Sequence, residues 1–186
     1  MSVIRNSRPF IVQVHVYNNY LSDNADVDSL EKEFAAYEGM NLKDYQINFN
    51  LTEYLDFNGT DESSYTSMMK VMAMAAHDLD VLGGNTAFVN YYGVGEEDNT
   101  LFADLEETLP PAFFQYLKEQ DRILYLSRTD EAGKVLGQYA AAIDVSDTRI
   151  VNKNCLLGTP CYLGIAVNTS RLQTSIDFLE WIFDYQ

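Results

Sequence analysis

At 186 residues the chain is sized for one domain, and its 28 acidic against 12 basic side chains give a formal charge of −16. Such a surface repels nucleic acid and anionic lipid headgroups, because neutralising phosphate needs the opposite sign. A hydrophobic content of 47% with 13% aromatic excludes global disorder, and no segment approaches the roughly 18 apolar residues of a membrane-spanning helix. A DNA mimic would share this acidity, but a soluble acidic surface is the simpler reading.

Met1 to Arg8 read as a leader or the remnant of a truncation, leaving residues 9–186 as one α/β domain. "FIVQVHVY" alternates Phe10, Val12, Val14 and Val16 against Ile11, Gln13, His15 and Tyr17, the period of a strand. "DVDSLEKEFAAYEG" spaces Val27, Leu30, Phe34 and Tyr37 as one helical face, with Asp26 as N-cap and Gly39 as the stop. "DYQINFNLTEYLDF" reads as a second strand through Tyr45, Ile47, Phe49 and Leu51. The next segment, "DESSYTSMMKVMAMAAHD", is predicted to be a helix burying Met68, Met69, Met72 and Ala76 as adaptable core filler.

"DLDVLGG" is too short for a helix and lies between two helical segments, which predicts a buried strand of a parallel sheet, away from the sheet margin. Gly83 and Gly84 are expected to supply the free backbone angles of a sharp turn, and Asn85 or Thr86 to cap the following helix. Strand and helix alternating three times is the pattern of an α/β layered fold. Beyond it come a helix starting at Pro110-Pro111 and a hairpin turning at Asp130 to Lys134 between Ile123–Leu126 and Gln138–Val145. "CYLGIAVNTS" reads as a further strand. The closing amphipathic helix is capped by Ser170 and turns Leu172, Ile176, Leu179 and Ile182 inward.

The two cysteines stand in "CLLGTPC". A turn at Gly158 and Pro160 would bring Cys155 and Cys161 together as a disulfide, worth about 2 kcal/mol for so short a loop; the alternative is two ordinary thiols. A disulfide would favour an oxidising compartment. Only His15 and His77 are available to join the thiols, so no metal site and no cofactor is expected.

"DLDVLGGNTAFVNYY" followed by "LFADLEETLPPAFFQYL" resembles the extracellular solute-binding proteins of bacterial ABC transporters, the type II periplasmic-binding-protein family. "YLGIAVNTSRLQTSIDFLEWIF" is similar to that family's late strand and helix, whereas Gln138-Tyr139-Ala140 departs from its tyrosine-glycine-apolar pattern. In element order the similarity runs over most of residues 10 to 183. Members hold their ligand between two α/β lobes, but here only "VSDTRIVNKNCLLGTP" stands where the second lobe would be. The resemblance therefore implies a three-layer α/β/α sandwich around a mostly parallel sheet, equivalent to one lobe. It further implies a non-catalytic, extracellular or cell-surface domain, attached to the membrane through a segment absent from this chain.

In open α/β sheets, ligands sit beyond the carboxyl ends of the strands. That rule selects Tyr17, Asn18, Asn19, Gly83, Gly84, Asn85 and Thr86, with Asp144 beside them, as the candidate ligand-binding set. Tyrosine and asparagine suit sugars or peptides, and N–H groups at the helix start after Gly84 suit an anionic group. The plainer reading is that the glycines only turn and Asn85 only caps. With one lobe, any small solute would stay partly wet and bind weakly. The expected partner is thus an unidentified small solute or a protein.

Two other functions compete with this reading. An acidic protein-interaction domain, docking through its charge or the Tyr91-Tyr92 patch, needs no small ligand. A hydrolase needs a nucleophile and a base, but His15 is mid-strand and His77 ends a helix. Neither a Gly-x-Ser-x-Gly elbow nor a phosphate loop occurs. The acid pairs Asp78/Asp80 and Glu106/Glu107 are expected to be solvated or capping, so no enzyme is expected.

Overall fold

Because β1 (Phe10–Tyr17) is buried on both faces over nearly its whole length, it must lie inside a sheet with helices on either side. The computed structural model describes residues 8–152, 155–158 and 160–186, so all but Arg8 of the expected leader lies outside the described residues. Arg8 itself is bonded to the fold through the carbonyls of Leu42 and Tyr45. β1 pairs in parallel with β3 (Gln46–Glu53) on one side and with β4 (Val81–Gly84) on the other. The connections are α1 (Val27–Tyr37), which follows the short β2 (Tyr20–Leu21), and α2 (Glu62–Ala75). β4 is accordingly an interior strand parallel to β1, as its sequence predicts.

After β4 the chain abandons the crossover pattern. α3 (Thr86–Gly93), α4 (Leu105–Thr108) and α5 (Pro111–Glu119) carry it to the far edge, where β5 (Ile123–Thr129) and β6 (Val135–Asp144) form the expected hairpin. It then passes through β7 (Leu156–Leu157), returns as β8 (Tyr162–Ile165) and ends in α6 (Leu172–Ile182). The sheet order is β3-β1-β4-β8-β6-β5, with β8 antiparallel to both its neighbours. The α/β class holds, but the sheet is mixed rather than mostly parallel, and two parallel crossovers replace the expected three. The reason is β8, which enters between β4 and β6 from the opposite direction. A separate two-stranded ribbon of β2 and β7 lies in the region where only a connection was expected.

Apolar side chains form two clusters, one for each face. Phe34 of α1, Phe113 and Leu117 of α5, and Phe178, Leu179 and Trp181 of α6 pack on Val12, Val14, Val16 and Phe49. Val71 and Ala75 of α2 and Phe88 and Tyr92 of α3 pack with Tyr17, Leu82 and Leu55. The helices are therefore in two layers around the sheet. Tyr92 Oη donates to the Met68 carbonyl at 2.9 Å and ties α3 to α2.

Local signals were mostly sound. Asp26 caps α1 by accepting from Ser29 N, Gly39 stops it with φ +67°, and Asp61 caps α2 by accepting from Ser64 N. Three expectations are corrected. α2 buries Met68, Val71 and Ala75, while Met69 and Met72 are exposed, because each of the two lies one residue, about 100° around the helix, past a buried one. The N-cap position of α6 is Arg171, which makes no side-chain capping bond, so Ser170 is not its cap, and Leu172 faces outward.

The third correction concerns Gly83 and Gly84. Neither makes a turn: both lie within β4, paired on two sides, with no positive φ. A Cβ on Gly83 would lie 1.7 Å from the Tyr162 carbonyl oxygen, and one on Gly84 would lie 2.1 Å from that of Tyr17. They are glycines because flanking backbone occupies the space of a side chain. Gly83→Ala should therefore cost about 3 kcal/mol or more in urea unfolding. Gly137→Ala, where a Cβ would meet nothing within 4 Å, should stay within about 0.5 kcal/mol of the parent. Equal effects of the two substitutions would refute this account.

Candidate functional site

Register brings the strand ends together. Tyr17 stands opposite Glu53 on one side and Gly84 on the other, Gly84 opposite Tyr162, and Tyr162 opposite Asp144. Tyr17, Gly84 and Asp144 of the candidate set thus share one row across the sheet. Their side chains have different occupations. Asp144 Oδ1 accepts from Ser146 N and Oγ at 2.9 and 2.6 Å, holding the turn after β6.

Asn18 adopts φ +60°, which asparagine tolerates, and spends its whole amide on the chain leaving β3. Its Nδ2 donates to the Leu55 carbonyl at 3.0 Å, its Oδ1 accepts from Leu55 N at 2.7 Å, and its own N–H reaches the Glu53 carbonyl at 2.9 Å. Asn19 Nδ2 donates to the Gly158 carbonyl at 3.2 Å, leaving Oδ1 buried without a partner. Asn85 is the N-cap of α3, its Oδ1 accepting from Phe88 N at 3.1 Å. That bond uses one of the N–H groups that would have served an anion. Thr86 is exposed in the first turn of α3, and Gly83 and Gly84 are inside the sheet. Of the set, Tyr17 lines a cavity.

The cavity, of about 200 Å³, opens between α2 and the ends of β1 and β3 and is lined by Tyr17, Glu53, Tyr54, Leu55, Ser67, Lys70, Val71 and Met74. Tyr17 is 1% exposed, and its ring stacks on Phe88 with centroids 4.7 Å apart and planes 7° from parallel. Its hydroxyl is buried and has no hydrogen-bond partner. Burial first, and the Glu53 carboxylate second, push its pKa well above the usual phenol range.

A buried polar layer runs back from this cavity along the same sheet face. Asn48 Nδ2 lies 3.4 Å from Gln13 Oε1 and 3.3 Å from His15 Nε2. Asn50 Nδ2 donates to Glu53 Oε1 at 2.8 Å, and Glu53 Oε2 lies 3.7 Å from His15 Nδ1, too far for a hydrogen bond. Burial lowers the His15 pKa more than Glu53 raises it, so the ring is neutral at pH 7. Glu53 thus faces a neutral ring at His15.

Sequence reasoning missed Glu53 and set His15 aside. The signal was present: Gln13, His15 and Tyr17 alternate on β1 and Asn48 and Asn50 on β3, polar groups on the sheet face that α2 and α3 cover. Asp80 was misjudged as well. It is 1% exposed and accepts from Gln13 N, Arg171 Nε and Thr169 Oγ1, each at 2.7 Å. Glu106 and Glu107 are exposed, as expected. Cys155 and Cys161 are both buried and free; burial pushes the Cys161 thiol up to about 12 and raises Cys155 too, so neither is a thiolate at neutral pH. Among the described residues, no group of three or more His, Cys, Asp or Glu is placed to hold a metal ion. No helix among them is long and apolar enough to cross a membrane.

Neither a protein family model, nor a curated protein, nor a solved structure matches this chain.

Two outcomes follow from the layer. Tyr17→Phe should raise stability by up to about 1 kcal/mol, because it removes a buried hydroxyl without a partner and keeps the stacked ring; a loss above that size would mean the hydroxyl is satisfied. For His15, the unfolded chain takes up a proton near the ordinary value of 6.5 while the folded chain does so only at lower pH. Stability is therefore lost as pH falls through about 6.5, with Glu53 and Asp78 opposing the shift and Lys70 adding to it. His15→Gln should flatten the fall in unfolding free energy between about pH 6.5 and pH 5, measured by urea titration against the parent; an unchanged slope would refute a neutral buried ring.

Proposed function

We propose that this chain is a non-catalytic binding domain whose ligand is a small polar solute seated between α2 and the ends of β1 and β3. The observation that carries the proposal is a cavity of about 200 Å³ at the ends of β1 and β3 whose lining includes Glu53 and Lys70, two groups of opposite charge that make no ion pair with each other. The position supports the reading too, since carboxyl ends of parallel strands are where open α/β sheets take ligands.

The resemblance to one lobe of a type II solute-binding protein belongs to the same proposal, with display outside the cell on a membrane-attached protein. Binding is favoured over catalysis by His15. Its ring nitrogens face Glu53 and Asn48, and no serine, threonine or cysteine among the described residues bonds to them.

A second reading has one observation in its favour. Val135 and Leu136 are 59% and 66% exposed at the start of β6, in the hairpin at the sheet edge, a suitable contact for a protein partner. Thermal-shift titration against millimolar sugars, dipeptides and amino acids separates the two. The first reading expects at least one class to raise Tm, and expects Ser67→Trp, which fills the cavity from an exposed helix position, to abolish the shift. No shift with any class, or one that survives Ser67→Trp, overturns it. Capture of a partner that Val135→Asp/Leu136→Asp releases would then establish the second.

A further inference from the structure

We infer that Asn58 is a site of spontaneous modification, where the Gly59 amide nitrogen closes on the Asn58 side chain and leaves isoaspartate in the turn that joins β3 to α2. No solute takes part, so this chemistry stands apart from the binding reading above.

Asn58 is the one asparagine of the chain that precedes a glycine. In that pair the backbone nitrogen of Gly59 attacks the side-chain carbonyl carbon of Asn58. A bond forms between Gly59 N and Asn58 Cγ, and the bond from Cγ to Nδ2 breaks. The amide proton passes through solvent to the leaving nitrogen, which departs as ammonia. Water then opens the cyclic imide from either side, giving aspartate or isoaspartate. In isoaspartate the main chain runs through Cβ and Cγ. Water is the only co-reactant. A side chain on the attacking residue hinders the approach of its nitrogen, and glycine has none.

The fold leaves the reaction open. Asn58 and Thr60 are exposed in the turn after β3. The Asn58 side chain makes no hydrogen bond among the described residues; its backbone N–H donates to Asp56 Oδ1 at 3.0 Å. Asn18, Asn50 and Asn85 instead commit their side-chain amides to Leu55, Glu53 and Phe88. The attacking nitrogen, Gly59 N, donates to the Asp56 carbonyl at 3.3 Å, a long bond of its type. An exposed turn held by so long a bond opens at little cost.

Glycine at this position is imposed by the helix that follows. A Cβ on Gly59 would lie 2.2 Å from Ser64 Oγ and 2.7 Å from Ser64 Cβ. Ser64 is itself held in the first turn of α2, its N–H donating to the Asp61 cap at 2.7 Å. A side chain that slowed the attack would have to displace Ser64. Packing at the start of α2 thus keeps the reactive pair in the chain.

The product alters the link between two walls of the cavity. The turn joins Glu53, Tyr54 and Leu55 to Ser67, Lys70 and Val71 of α2. Isoaspartate lengthens the main chain by a methylene just before the Asp61 cap. It also adds a carboxylate to a segment that already carries Asp56, Asp61 and Glu62. Aspartate adds the charge alone.

The test incubates the folded protein, and separately a peptide of residues 54–62, at neutral pH and physiological temperature. Peptide mapping by mass spectrometry and labelling by protein-isoaspartate methyltransferase locate the product. Asn58 should convert before any other asparagine, at a rate within about tenfold of the peptide's. Asn58→Gln, whose longer side chain closes the ring poorly, should suppress the product while its circular dichroism matches the parent. The aged protein should melt below Asn58→Asp, which carries the charge without the added methylene. An intact Asn58 beside a converted peptide would mean that the fold protects it, and would overturn the inference. Conversion of neither, or of another asparagine first, would overturn it as well. Equal melting of aged protein and Asn58→Asp would refute the altered link.

Discussion

The interaction on which the sheet depends is the close approach of β4 to the strands on either side of it. β4 is four residues long, yet it joins a parallel half to an antiparallel half. Backbone oxygens of Tyr17 and Tyr162 stand where a Cβ of Gly84 or Gly83 would be. Side chains at these positions would push β1 and β8 off the strand and break both halves of the sheet. At the other end of the strand, Asp80 continues the same work by different means. Its carboxylate accepts from Gln13 N on β1 and from Thr169 and Arg171 beyond β8, while its backbone bonds Gln13 and Ala166. Removing one partner from so buried a pair is typically worth 3–5 kcal/mol of lost stability, because the survivor is left desolvated and alone.

Joining the halves at β4 also determines where the strand-end cavity forms. Since β1, β3 and β4 run in one direction, their ends lie in one row, and the chain leaving each end has to turn there. Asn18 makes the first of these turns and, through three bonds, holds Glu53 and Leu55 beside Tyr17. It was expected to face a ligand; its amide is instead consumed in placing the residues that line the cavity. The Phe88 ring, presented by the helix that Asn85 caps, fixes the Tyr17 ring by stacking. Capping and cavity construction are thus one arrangement of residues.

Most of the elements were legible because their signals are local. The alternation in "FIVQVHVY", the Asp26 cap, the Pro110-Pro111 start and the hairpin turn each work through residues within a few positions of one another. The errors have a common origin in contacts distant along the chain. Gly83 and Gly84 look like a turn because glycine permits one; what excludes a side chain is Tyr162, nearly eighty residues later. Asp80 looks solvated because its neighbours are polar, and its partners lie about ninety positions away. The direction of β8, which makes the sheet mixed, depends on the route taken by residues 145–161 and has no local sign. For the site, the strand-end rule found Tyr17 but could not tell a ligand-facing amide from one spent on the backbone. Glu53 was passed over because a carboxylate at a strand end is ordinarily solvated.

Two carboxylates in one fold show how differently a negative charge can be held. Asp80 is almost wholly buried and completely satisfied, and the groups that satisfy it are the ones that join the sheet. Glu53 lies within a layer of Gln13, His15, Asn48 and Asn50 that would be better packed as valine and leucine if stability alone were served. In place of apolar contacts that layer leaves His15 Nδ1 and Tyr17 Oη without hydrogen bonds, and it leaves Glu53 facing a neutral ring. Unmade bonds at those two buried groups cost the protein stability.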